Sequence, residues 1–146
     1  MSLEETERLW SLIVARCRPS GTCLGWTGAR TGTRHEYGIV TTTDHQTFYV
    51  HRIAYERAYG PIPAGLTIDH VAARGCRHKT CCNPAHLEAV TNRENILRGN
   101  SLSAQRARRT VCPKGHPLAG DNLLLSSLKQ GIRRCRTCAN EQARAR

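Results

Sequence analysis

The sequence predicts an α+β fold too small and too polar to rest on its apolar core alone. Three observations lead there. Helix-period and strand-period segments alternate along the chain, with no long run of either. Of its 146 residues only 39% are hydrophobic and 5% aromatic, with a single Phe, which makes a thin core for a chain of this size. Eight cysteines stand in the sequence, several of them with histidines at short spacings, and thin cores are commonly reinforced by disulfides or metals.

The elements follow in order. Ser2 with Glu5 forms a capping box, and Leu9, Leu12, Ile13 and Arg16 continue at helical spacing. Pro19, Ser20 and Gly21 break that helix near Cys17. Residues 23–50 read as strands. Cys23-Leu-Gly-Trp26 is one short run, and Tyr37–Val40 and Thr47–Val50 flank the polar turn 43–46 as a hairpin. His51 to Tyr59 is helical in pattern until Gly60-Pro61-Ile62-Pro63 stops it.

Leu66 to His70 is a short strand, and 71–84 a loop rich in Cys, Arg, His and Lys. Leu87 to Val90 is a second short strand. Thr91-Asn-Arg-Glu94 is another capping box, starting a helix that runs to about Gly99. Residues 101–110 are small, polar and basic. From Cys112 a second unit begins, with a hairpin expected over 121–134 turning at Gln130-Gly131 and a helical or frayed tail from Ala139. The expected division is 1–100 for the first domain, 101–111 for a basic linker and 112–146 for a C-terminal module.

Charge is unevenly spread over the net +11. Residues 1–90 hold ten Lys and Arg against eight acids, a net of +2, and residues 91–146 hold twelve against three, a net of +9. Ten of those twelve are Arg, whose planar fork suits bidentate phosphate contact. A polyanion partner, nucleic acid, is the expectation. The acidic start 1–10 has no basic leader with an apolar stretch behind it, and no apolar run approaches a membrane span. A cytoplasmic setting, without membrane association, is therefore expected.

Reduced thiols in such a setting are more often metal ligands than disulfides. The first candidate set is Cys76-x4-Cys81-x4-His86. Thiolate and imidazole are the donors that Zn²⁺ prefers, in tetrahedral fours. The fourth ligand must come from elsewhere. Cys23, at the start of a strand, is preferred, and Cys17 at a helix end is the alternative. Cys82 adjoins Cys81 and is not expected to converge on the same ion. The second set is Cys112-x3-His116 with Cys135-x2-Cys138, two short chelating pairs around a hairpin-length spacer. Disulfides need no histidine, so His86 and His116 at ligand spacing argue against a disulfide scaffold.

Between the zinc ligands stand Asp69-His70, Asn83 and Asn95. Phosphodiester hydrolysis needs a base for water, a cation for the developing charge and help for the leaving oxygen. His70 is the base type that titrates near neutral pH. Asp69 is a hard oxygen ligand for Mg²⁺ or Mn²⁺, and the Asn95 amide oxygen is a candidate second ligand. Successive strand residues face opposite ways, so a strand end or bulge is needed for Asp69 and His70 to serve one site.

The run His51-Arg-Ile-Ala-Tyr-Glu56, Gly60-Pro-Ile-Pro63, Asp69-His70, Cys81-Cys-Asn-Pro84, His86-Leu-Glu88, Val90-Thr91 and Glu94-Asn95 resembles an HNH endonuclease of the bacteriophage type. That is the ββα-metal nuclease superfamily. The Cys76/Cys81/His86/Asn95 spacing also resembles the His-Cys box homing endonucleases, and Cys112–Cys138 resembles zinc modules appended to phage HNH proteins. The resemblance covers about residues 23–99. It implies a ββα-metal core with an N-terminal helix and β-hairpin, and a C-terminal zinc-finger-like module. His70 would be the general base, Asp69 and Asn95 would hold one catalytic Mg²⁺ or Mn²⁺, and Asn83 would order the loop. Cys23, Cys76, Cys81 and His86 would hold one structural Zn²⁺, and Cys112, His116, Cys135 and Cys138 the second.

One departure is the five-residue spacer 71–75 between His70 and Cys76, where many relatives have one residue. Ala72, Ala73 and Gly75 make it read as a small flexible insertion. The expected substrate is double-stranded DNA in a bacterial or phage-infected cell, with Arg52, Arg93, Arg98, Arg106, Arg108 and Arg109 as contacts. A monomer would nick, and a homodimer would cut both strands at a near-palindrome. The rival readings are a non-catalytic zinc-dependent DNA-binding regulator and an RNA-cleaving nuclease. His35, His45 and His78 read as surface histidines, His78 with phosphate in reach. Trp10 and Trp26 read as core. His51 and Arg52 suit packing as well as DNA contact.

Overall fold

The structure is a computed structural model describing residues 3–32 and 36–145; the expected cap Ser2 and the histidine His35 lie outside them. Two compact units divide it, residues 1–95 and residues 96–146.

In the first unit, helix α1 (Leu3–Ala15) presents Thr6, Leu9 and Ile13 on one buried stripe. Leu9 and Ile13 are fully buried with Trp26, Val50, Ile53, Ala54, Ile68 and Leu87, and each such aliphatic side chain contributes roughly 1.5–3 kcal/mol relative to exposure. Strands β1 (Cys17–Ser20) and β2 (Cys23–Trp26) form an antiparallel pair. Strand β1 corrects the expectation that Pro19-Ser20-Gly21 merely ends a helix. Pro19 sits on an exposed strand position, and Gly21, with φ 59, opens the two-residue turn. The Trp26 ring is closed between Gly28 and Gly38, where an added Cβ would meet it at 2.3 and 2.6 Å.

Strands β3 (Ile39–Thr41) and β4 (Thr47–Tyr49) pair across the polar turn, whose His45 is exposed with φ 62. Helix α2 (Val50–Tyr59) follows at once and buries Val50, His51, Ile53 and Ala54. Gly60, at φ 87, closes it with an N–H to the Glu56 carbonyl at 2.9 Å. Strands β5 (Leu66–His70) and β6 (Leu87–Thr91) pair antiparallel, Leu66 with Thr91 through to His70 with Leu87. Helix α3 (Asn92–Arg98) continues directly from β6. Its first turn is capped by Thr91 Oγ1, which accepts from Glu94 N at 3.1 Å. The order strand, loop, strand, helix is thus in place.

The spacer 71–75 is not a flexible insertion. Ala72–Arg74 makes one 3₁₀ turn closed by Gly75 in the left-handed region at φ 85. Arg74 pins it by donating to the Leu87 carbonyl and pairing with Glu88 at 3.0 Å.

In the second unit, residues 102–108 of the expected linker form helix α4 (Leu102–Arg108), with Ser101 Oγ accepting from Ala104 N and Ala104 fully buried. Val111 and Pro117 bridge across a tight knuckle whose Gly115 has φ 84. The expected hairpin over 121–134 is only half realised. One arm is the short helix α5 (Leu125–Leu128), the chain reverses at Gly131 with φ 73, and Leu123 and Leu124 pair back with Cys135 and Arg134. Helix α6 (Arg136–Arg144) ends the described chain, with Cys135 as its N-cap.

Candidate metal centres and active site

Strand β2 docks on the loop before β6. Trp26 N donates to the Thr80 carbonyl at 3.0 Å and Cys82 N to the Leu24 carbonyl at 2.8 Å, with Gly25 bridging Cys81. This places Cys23 beside Cys76, Cys81 and His86, four buried donors within 4.8 Å of one another. Cys23 Sγ and Cys81 Sγ each stand 3.6 Å from His86 Nδ1. A zinc tetrahedron with metal–sulfur bonds of about 2.3 Å has edges near 3.5–3.8 Å, so the donor set fits zinc. Burial pushes the Cys76 thiol up to about 12, with the Cys81 and Cys23 sulfurs adding to it. A divalent cation is what turns such a crowded set into thiolates.

The structure selects Cys23 over Cys17. Cys17 Sγ lies 3.0 Å from Cys82 Sγ instead, both buried. Burial raises the pKa of each, and each stays a thiol in the core.

Asn83 organises the same loop. Its Oδ1 accepts from Ala85 N at 3.1 Å, capping the 3₁₀ turn Pro84–His86, and its Nδ2 donates to the Thr22 carbonyl at 2.9 Å. The chain on either side of His86 is fixed by the turn, so the imidazole is delivered to the tetrad.

The second cluster is Cys112, His116, Cys135 and Cys138. Cys112 and His116 flank the knuckle, and Cys135 and Cys138 lie at and inside the first turn of α6. Edges of 3.6 Å (Cys112–His116 Nδ1), 3.6 Å (Cys112–Cys138), 3.3 Å (His116 Nδ1–Cys138) and 3.7 Å (Cys135–His116 Nδ1) again match a zinc tetrahedron. Both tetrads use protein donors at all four corners, the pattern of structural sites.

Asp69 and His70 are the last two residues of β5, both half-buried. The His70 Nε2–H donates to the Cys81 carbonyl at 3.1 Å, which leaves Nδ1 as the ring's lone-pair nitrogen. Burial lowers the pKa of His70, while the Cys81 carbonyl and the Asp69 charge pull it the other way. The neutral, proton-accepting ring is the resting form at neutral pH.

The ring is also walled in. His51, 8% exposed, lies 4.9 Å from it between ring centroids, and Tyr37 lies 6.0 Å away. Tyr37 carries Lys79 above its face at 5.4 Å. Asn95 stands half-buried on α3. Arg52, Arg93, Arg98, Arg106 and Arg109 are exposed, and the exposed Arg108 donates to the Leu97 and Gly99 carbonyls. His78 is exposed, 3.5 Å from Ser20 Oγ. Sequence reading missed Tyr37 and Lys79 as neighbours of the site and left His51 between two roles.

Residues 48–97 match the family described as HNH endonuclease, a stretch that runs from β4 through α2 and the strand–loop–strand unit into α3. Over that stretch the chain is thus similar to an HNH endonuclease domain. Its matched relatives are phage proteins. The uncharacterized gene 5.3 protein of Enterobacteria phage T3 is 34% identical over 67 residues, covering 46% of this chain and 62% of that protein. Protein 7.7 of Escherichia phage T7 is 31% identical over 77 residues, covering 50% of this chain and 51% of that protein. The chain thus spans less than two thirds of either relative's length. No solved structure matches it.

Proposed function

We propose that the protein is a metal-dependent endonuclease that hydrolyses phosphodiester bonds of double-stranded DNA, with His70 as general base. The observation that carries this reading is the His70 ring, tied through Nε2–H to the Cys81 carbonyl, which makes Nδ1 the nitrogen that would take a proton from water.

The two Cys/His tetrads would each hold one structural zinc. Asp69 and Asn95 would hold one Mg²⁺ or Mn²⁺. They offer carboxylate and amide oxygens, the hard donors such ions take, while the soft donors are gathered in the tetrads. When bound, that ion supplies positive charge to the scissile phosphate and the departing 3′ oxygen. His70 Nδ1 removes the proton from the attacking water. The Cys81 carbonyl receives Nε2–H throughout, so the imidazolium that forms is stabilised by an acceptor already in place. Tyr37 and His51 hold the ring plane from the side.

The test is nicking of supercoiled plasmid with Mg²⁺ or Mn²⁺. His70→Ala should lower the rate by about 10² to 10⁴ while zinc content and DNA binding stay at wild-type levels. A normally folded, active His70→Ala protein sinks the assignment, and a wild-type chain that binds DNA without cutting it leaves a zinc-dependent regulator.

A further inference from the structure

The second unit contains a groove of about 630 Å³ that lies outside the HNH domain. Its floor is apolar: Val111 and Ile132 are half-exposed there, beside Ala107. Arg106, Arg109, Arg133 and Arg134 line it, and no acidic side chain does. Residues 96–146 hold eleven Lys and Arg against two acids. One of those acids, Glu141, is tied to Lys114 at 2.8 Å.

The four arginines divide by role. Arg133 turns inward and donates to the carbonyls of Ala107, Arg109 and Leu118, which ties α4 to the zinc knuckle. Arg106 in the last turn of α4, Arg109 as its C-cap and Arg134 are exposed on two segments that this tie and the Cys112–Cys138 cluster hold in place. Three guanidinium forks on two segments around an apolar floor are complementary to a strand whose charges repeat and whose sugars are apolar.

We infer that this groove seats the sugar–phosphate backbone of a nucleic acid strand, with Arg106, Arg109 and Arg134 on successive phosphates and Val111 and Ile132 against the sugars. The inference takes its ligand class from the nuclease reading, and it assigns the contact to one face of the zinc module instead of to its charge at large.

The test is fluorescence anisotropy of a labelled DNA duplex over a salt series, using the zinc-loaded full chain without added Mg²⁺. The triple substitution Arg106→Gln, Arg109→Gln and Arg134→Gln should reduce the slope of log K against log salt by roughly three, since each phosphate contact contributes about 0.9. Each single substitution should reduce it by about one. A control of equal charge, Lys129→Gln with Arg136→Gln and Arg144→Gln, removes cations of the same unit that do not line the groove and should leave the slope nearly unchanged. Equal losses in both triples, or none in the groove triple, would overturn the inference. So would poly-glutamate competing as strongly per charge as duplex DNA. Plasmid nicking with a groove triple that binds like wild type rejects the groove and keeps the nuclease. Groove-dependent binding by a wild-type chain that never nicks keeps the groove and rejects the nuclease.

Discussion

His70 and Cys81 are joined by one hydrogen bond, imidazole Nε2–H to backbone carbonyl at 3.1 Å, and Cys81 is also a corner of the first metal tetrad. A residue that would grip a structural ion therefore also aims the proposed base. Fixing the acceptor on one ring nitrogen decides which nitrogen keeps the lone pair.

Loss of the first tetrad should therefore abolish nicking although no proposed catalytic side chain is touched. Cys76→Ser should lower zinc from two ions per chain to one and remove activity. Cys135→Ser should also remove one zinc, but it alters the second unit alone and should spare single-turnover nicking at saturating protein. Metal analysis and single-turnover rates on the two variants check this, and equal effects on rate would contradict it.

Asp69→Ala and Asn95→Ala should raise the Mg²⁺ concentration needed for half-maximal nicking by tenfold or more, with excess Mn²⁺ restoring part of the rate. Both should keep two zincs, since neither residue belongs to a tetrad. A metal titration of nicking on each variant is the measurement. An unchanged half-point for either removes that residue as a ligand.

His51 gives the fold a pH dependence. Burial, with the neighbouring His70 and Arg52 opposing a further charge, lowers its pKa to about 3. The Tyr37 and Tyr49 rings cover it on other sides. An unfolded histidine takes its proton near pH 6.5, so between about 6.5 and 3 the unfolded chain holds a proton that the native chain refuses. The contribution to stability is complete above pH 6.5 and falls as the pH drops through that window, by up to about 1.4 kcal/mol per pH unit. His51→Phe should flatten the stability curve there. It should also raise Tm at neutral pH, because His51 Nδ1 is buried without a hydrogen-bond partner among the described residues and such a nitrogen costs about 1–3 kcal/mol. Melts of both proteins from pH 4 to 7 decide it, since tetrad protonation is common to the two. Parallel curves would refute the argument.

What could be read from the chain was what short-range chemistry dictates. The Thr91 cap, the β5 and β6 strands, the Cys76/Cys81/His86 trio and the Cys112/His116 and Cys135/Cys138 pairs are written in spacings of a few residues, and the structure has them. Cys17–Ser20 could not be read as a strand, because Pro19-Ser20-Gly21 is equally a helix stop and a hairpin turn, and only pairing with Cys23–Trp26 chooses. Ala72, Ala73 and Gly75 looked loose because nothing local shows that Arg74 will reach the Leu87 carbonyl and Glu88. The ring wall around His70 comes from Tyr37, before β3, and His51, on α2. Their meeting is a product of tertiary packing and has no signature in spacing.

The docking of β2 on the loop before β6 also makes the first tetrad depend on a long-range closure of the chain. Leu24 and Cys82, 58 residues apart, are bonded there, and Cys23 reaches His86 across 63 residues. Three ligands of the first tetrad are neighbours in sequence and can chelate an ion early. The fourth arrives only when that long loop closes, an event opposed by chain entropy and slow for non-local contacts. An ion held by all four donors would therefore clasp the N-terminal hairpin to the loop before β6, closing 63 residues of chain at one centre.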